Sequence, residues 1–193
     1  MRIGIFGGSF DPPHIGHLLA AQDAYDHLGL DRIVFVPAGN QPLKAGRASA
    51  GAGQRLALVR LMVVDDPRFE VSPVEVDRSG LSFTVDTLRH FAAERPGADL
   101  FLLLGADALA LFSQWREPEE VVRLARLAIL ERAGEHGVAL PAGVSTARVQ
   151  RLATRRVDVS STEIRERVRQ GKSILGFVTD AVGAAIARDA LYR

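Results

Sequence analysis

Apolar and polar positions change period repeatedly along the chain. Residues 2–6 (RIGIF) are a short apolar run ended by Gly7 and Gly8, which predicts a buried strand. From 15 to 28 (IGHLLAAQDAYDHL) apolar residues recur at helical spacing, with Gly29 as the stop. The β-branched run 32–37 (RIVFVP) predicts a second strand, closed by proline. Strand, helix and strand within about 37 residues have the size of a βαβ unit with a parallel pair.

The alternation continues. Residues 38–51 are glycine-rich and polar and predict a loop; 54–66 predicts a helix; 69–77 (FEVSPVEVD) alternates like a strand. A helix over 84–95 has Thr84 or Ser82 as its candidate cap. The unbroken run 99–105 (DLFLLLG) predicts a central strand. PEEVVRLA predicts a helix, RLAILER (126–132) a strand, 133–146 a loop and RRVDV (155–159) a last short strand. In the helix that follows, Ser160 and Glu163 have capping-box spacing and Gly171 marks the end. A final helix is expected over 179–191. Strands alternating with helices imply a doubly wound α/β sheet, whose ligands sit at the carboxyl ends of the strands. The loops after residues 6, 37 and 104, and the turn into residue 160, are therefore the places for a site.

Composition narrows this picture mainly by exclusion. The chain has 193 residues, 47% hydrophobic and 24% charged, with a net charge of +1. No polybasic or acidic tail suggests a nucleic-acid or solvating role. With no cysteine, disulfides, thiolate zinc sites and cysteine nucleophiles are excluded. The N-terminal MRIGIFGG is too short and glycine-broken for a signal-peptide core, and no run approaches the roughly 18 apolar residues of a membrane span. A cytoplasmic protein without membrane partners is the expectation. Homo-oligomerisation is left open.

The chemistry-bearing stretch is GIFGGSFDPPHIGHL, residues 4–18. A strand ending in glycines lets backbone approach a ligand closely. The helix that follows offers N–H groups and a positive dipole end, a natural phosphate seat. The glycines match neither the dinucleotide fingerprint nor a Walker loop. His14 and His17 lack the HExxH context of a zinc site. Spacing alone leaves open phosphate contact, metal ligation, or one structural and one surface histidine.

GGSFDPPHIGH (7–17) resembles the signature of the HIGH-motif nucleotidyltransferase superfamily, with HIGH at 14–17. VSSTEIR (159–165), about 145 residues on, resembles the second signature of that group. GLSFTVDTL (80–88), LLGADAL (103–109), FSQW (112–115) and the closing LYR are similar to stretches of the nicotinate mononucleotide adenylyltransferases. The resemblance covers essentially the whole chain. It implies a single nucleotidyltransferase domain over 1–193: a Rossmann-like doubly wound parallel sheet flanked by helices, with a small C-terminal helical part at about 160–193. It also implies transfer of AMP from ATP to nicotinate mononucleotide, giving deamido-NAD and pyrophosphate, with Mg²⁺ accompanying ATP. Phosphopantetheine adenylyltransferases share both signatures and are the nearest alternative; a non-catalytic nucleotide sensor on the same fold is another.

Site roles follow from the same resemblance. His14 and His17 would contact the ATP phosphates, with His17 nearest the α-phosphate. Gly7, Gly8, Ser9 and Phe10 would line the groove, with Gly16 in the signature itself. Ser161, Thr162 and Arg165 would bind the outgoing pyrophosphate. Asp107, directly after a predicted strand, would accept from ATP ribose hydroxyls or cap the next helix. Asn40 and Lys44 would contact the mononucleotide. Ser82 and Thr84 belong to its pyridine-carboxylate motif, and Trp115 would stack on the ring. Arg116 stands where the family often has an aromatic residue and would favour an acid.

Overall fold

The computed structural model describes residues 1–40, 50–132, 140 and 145–193. Six strands form one parallel sheet: β1 (Arg2–Gly8), β2 (Arg32–Pro37), β3 (Phe69–Val71), β4 (Asp99–Gly105), β5 (Arg126–Arg132) and β6 (Val149–Thr154). Their order is β3-β2-β1-β4-β5-β6. The chain winds outward from β1 in one direction and from β4 in the other. The carboxyl ends of these two strands therefore open a crevice.

Strand pleating decides which helices cover which face. Phe6, Ile33, Phe35, Phe101, Leu103 and Ala128 face one core, shared with α1 (Ile15–Leu28), α2 (Ala52–Val63), α6 (Ser161–Arg169) and α7 (Asp180–Arg188). Ile3, Ile5, Val34, Leu100, Leu102 and Leu127 face the other, shared with α3 (Thr84–Glu94), α4 (Ala106–Ala110) and α5 (Pro118–Leu124). Burial on both faces is why these strands read as unbroken apolar runs. The doubly wound sheet and its C-terminal helices are as expected. Gly29 does end α1, in the left-handed region at φ 55°.

Four local expectations are corrected. The strand at 69 stops at Val71, because Ser72 starts a turn: its hydroxyl accepts the Val74 N–H, and the Pro73 carbonyl accepts that of Asp77. The last strand is Val149–Thr154, not 155–159. At Arg155 the backbone N–H turns away to the Asp23 carboxylate on α1, at 2.8 Å. The alternating Val157 and Val159 face a groove instead of a sheet. Asp107 lies inside the short helix α4, whose cap is Gly105. The cap of α3 is Phe83, with no side-chain bond, and the Ser82 hydroxyl donates instead to the Glu75 carbonyl at 3.4 Å.

Candidate active site

The crevice holds a groove of about 500 Å³ above the ends of β1 and β4. One wall is built from Gly8, Ser9, His14, Gly16 and His17, and another from Ser82, Phe83 and Thr84. Asp107, Trp115 and Arg116 form a third side, and Val157, Val159, Ser160 and Ser161 close the fourth. Three of these regions, after residues 6 and 104 and at the turn into 160, are ones the strand pattern singled out; Ser82 to Thr84 follow β3 instead, and the described residues of the loop after 37 are not in the lining.

His14 is the cap residue of α1 and is 8% exposed. Its backbone N–H donates to Nδ1 of His17 at 3.2 Å. A ring nitrogen that accepts is unprotonated, so neutral His17 carries its proton on Nε2. The two imidazoles lie 3.8 Å apart between centroids, tilted by 35°. Phe10 packs edge-on to His17 at 5.0 Å, and Phe6 does so at 6.2 Å. The histidines are thus braced from below by the core. Phe10, expected to line the groove, is 1% exposed and lies under it, at φ 48°. The Ile15 N–H, at the helix end expected to seat phosphate, donates to the Phe177 carbonyl at 2.9 Å.

The second signature meets the first through hydrogen bonds. The Ser161 hydroxyl donates to the Pro12 carbonyl at 2.8 Å, and Arg165 Nη1 donates to the Asp11 carbonyl at 2.7 Å. Arg165 Nη2 donates to the Thr162 hydroxyl at 3.2 Å. Ser160 caps α6, its hydroxyl accepting the Glu163 N–H at 3.1 Å. Ser160 and Ser161 line the groove, whereas Thr162 and Arg165 stand at its seam with the first loop. Gly7 is the penultimate residue of β1, and Gly8, which ends the strand, enters the groove lining.

In the segment after β4, Trp115 packs on Phe112 at 5.2 Å between centroids, and the Arg116 guanidinium sits 4.9 Å over Phe83. Arg116 also approaches Glu117 at 3.5 Å and Asp86 at 4.0 Å. Asn40 lies outside the lining, but its carbonyl accepts the Ser82 N–H at 2.9 Å. A Cβ on Gly39 would stand 2.1 Å from the Glu75 carbonyl oxygen, so only glycine permits this approach. Lys44 lies outside the described residues.

Sequence reasoning gave no role to three buried charged residues, Asp11, Arg55 and Glu75. Asp11 accepts the Tyr192 hydroxyl and the Ala50 N–H on Oδ1. Arg55, 3% exposed, donates to the carbonyls of Ser9, Ala38 and Ala50. Its pKa is pushed down by burial, against the opposing charge of Asp11. Burial likewise pushes Glu75 up, partly offset by the Thr87 hydroxyl that donates to it at 2.8 Å. The one available signal was a charged residue inside an apolar helical pattern, which Arg55 is.

A parallel sheet in Rossmann order with paired histidines at the first βα turn is the arrangement that the resemblance to nucleotidyltransferases implied. The model of the cytidylyltransferase-like family matches residues 5–167, and the chain belongs to that family. Within it the chain belongs to the nicotinate-nucleotide adenylyltransferases. It is 48% identical to a Gemmatimonas aurantiaca protein named "Probable nicotinate-nucleotide adenylyltransferase", covering 100% of this chain and 93% of that one. It is 44% identical to a protein of the same name from Thermus thermophilus, covering 100% of both chains. In fold it resembles Plasmodium falciparum nicotinic acid mononucleotide adenylyltransferase complexed with NaAD, at TM-score 0.77 and 18% identity, covering 99% of this chain and 97% of that one. Among the described residues no helix is long and apolar enough to cross a membrane.

Proposed function

We propose that the protein transfers AMP from ATP to nicotinate mononucleotide, forming deamido-NAD and releasing pyrophosphate. The observation that carries this reading is the groove itself. It brings the paired His14 and His17 into one lining with Thr84, Trp115 and Arg116 around about 500 Å³. A phosphate oxygen of the mononucleotide attacks the α-phosphorus of ATP, and the bond to the pyrophosphate oxygen breaks. That nucleophile is already ionised at neutral pH, so the protein supplies position and charge stabilisation, with no general base. The Nε2–H of His17 is a preorganised donor for the α-phosphate oxygens. His14 and the backbone of Gly8 and Ser9 bind the outer phosphates, and Asp107 accepts from the ribose. Ser161, Thr162 and Arg165 hold the second signature where pyrophosphate leaves.

Trp115 offers a π face to the electron-poor pyridine ring, and Thr84 with Arg116 favours its carboxylate. Asn40 would be a polar contact to the acceptor, and for Lys44, outside the described residues, the resemblance alone supports a phosphate contact. Asp107 is the only carboxylate among the described residues that line the groove, and the described residues hold no cluster of three or more metal-ligating side chains. That donor set fits a magnesium ion carried mainly by the phosphates of ATP, not one caged by protein. Magnesium would supply charge neutralisation on those phosphates. The chain works as a single cytoplasmic domain in this reading.

The deciding test supplies Mg²⁺, ATP and one acceptor at a time: nicotinate mononucleotide, nicotinamide mononucleotide or phosphopantetheine. Pyrophosphate release should be fastest with nicotinate mononucleotide. Faster release with phosphopantetheine would overturn the reading, and ATP binding without turnover on any acceptor would favour a sensor.

A further inference from the structure

Arg55 has no part in the chemistry above, yet its guanidinium is bonded to three separate stretches of backbone. Nη1 donates to the Ser9 carbonyl at 2.6 Å. Nη2 donates to the Ala38 carbonyl at 2.7 Å and to that of Gly39 at 3.3 Å. Nε donates to the Ala50 carbonyl at 3.2 Å, at the entry to α2. Ser9 belongs to the loop that leads to His14 and His17, on the ATP side. Ala38 and Gly39 begin the loop after β2. That loop is pinned in turn to the acceptor side, because the Asn40 carbonyl accepts the Ser82 N–H at 2.9 Å and Gly39 is pressed against Glu75.

An unbroken path of polar contacts thus runs from Ser9 through Arg55 to residues 38–40 and on to Ser82, two residues before Thr84. Arg55 is the side chain on this path that bonds to both loops. A guanidinium presents its N–H groups in a rigid planar fork, so one buried group holds several carbonyls at fixed relative positions. A lysine ammonium keeps the charge but not the fork.

We propose that Arg55 is a positioning residue that sets the separation between the ATP wall and the acceptor wall of the groove. The proposal rests on the adenylyl-transfer reading for what each wall binds. Either substrate alone meets an intact half-site. Only the bond-forming step needs both halves in register, and a misplacement of about 1 Å there costs on the order of 10²-fold in rate. The signature is a loss of rate without a matching loss of affinity.

The test uses Arg55→Lys and Arg55→Gln in the full chain, with folding checked by circular dichroism. Binary dissociation constants for Mg²⁺-ATP and for nicotinate mononucleotide are measured by calorimetry. The single-turnover rate is measured by quenched flow with the acceptor that the wild type turns over fastest. Both dissociation constants should stay within about threefold of wild type, while the rate falls by roughly 10- to 100-fold. A folded variant whose rate stays within threefold overturns the proposal. So does a dissociation constant that shifts as much as the rate, which would make Arg55 part of one half-site. Failure of both variants to fold also overturns it, since Arg55 then serves the fold and not the register. A wild type inactive on every acceptor would sink the adenylyl-transfer reading and this proposal together. An active wild type matched by its variants would sink this proposal alone.

Discussion

Tyr192 donates its hydroxyl to Asp11 Oδ1 at 2.9 Å, tying the turn after α7 to the loop of the first signature across 181 positions of sequence. Both residues are buried, at 7% and 3% exposure. Tyr192→Phe keeps the packing and removes a donor from a buried carboxylate, a loss of about 1–3 kcal/mol. Urea unfolding should show a lower midpoint with an unchanged slope, and an unchanged midpoint would show that Asp11 finds equivalent partners.

Glu75 makes stability depend on pH. Burial raises its folded-state pKa above the ordinary 4.5. A raised value means that the folded state holds the proton more tightly than the unfolded one. This contribution is therefore fully present below pH 4.5 and is lost as pH rises through the folded-state value. Glu75→Gln keeps an acceptor for the Thr87 hydroxyl and removes the titration. Denaturation curves collected below and above that window should show a smaller pH dependence in the variant. Parallel pH profiles would remove Glu75 as the source.

His17→Ala removes the Nε2–H donor and should lower kcat by roughly 10²-fold or more. Steady-state kinetics with saturating ATP and acceptor tests this. A drop under threefold would move the reacting phosphate elsewhere in the groove.

Trp115→Ala should act on acceptor binding. The KM for the mononucleotide is expected to rise several-fold, with the KM for ATP little changed, because Trp115 enters the groove from the segment after β4 and the histidines enter it from the turn after β1. An unchanged acceptor KM would leave Trp115 as a partner of Phe112 only.

The architecture was legible because β1, β2, β4 and β5 are buried on both faces, and that burial writes continuous apolar runs. Legibility failed where a similar pattern serves another purpose. Val157 and Val159 alternate like strand residues, but they form a groove wall, and Asp23 takes the Arg155 N–H that would have continued the ladder. The short helix α4 was missed because its Gly-Ala-Asp-Ala-Leu-Ala stretch spans less than two periods. Most candidate site residues do converge on the groove. The sequence could not reveal that Phe10 lies beneath the groove, or that Arg165 bonds to the first loop through a backbone carbonyl.

The acceptors of Arg55 at residues 9, 38, 39 and 50 are all main-chain oxygens. A main-chain oxygen is present whatever residue occupies the position. Substitutions at those positions can therefore accumulate without any compensating change at Arg55, provided that the loops keep their course. Statistical coupling between aligned columns would be blind to the bracket that joins them.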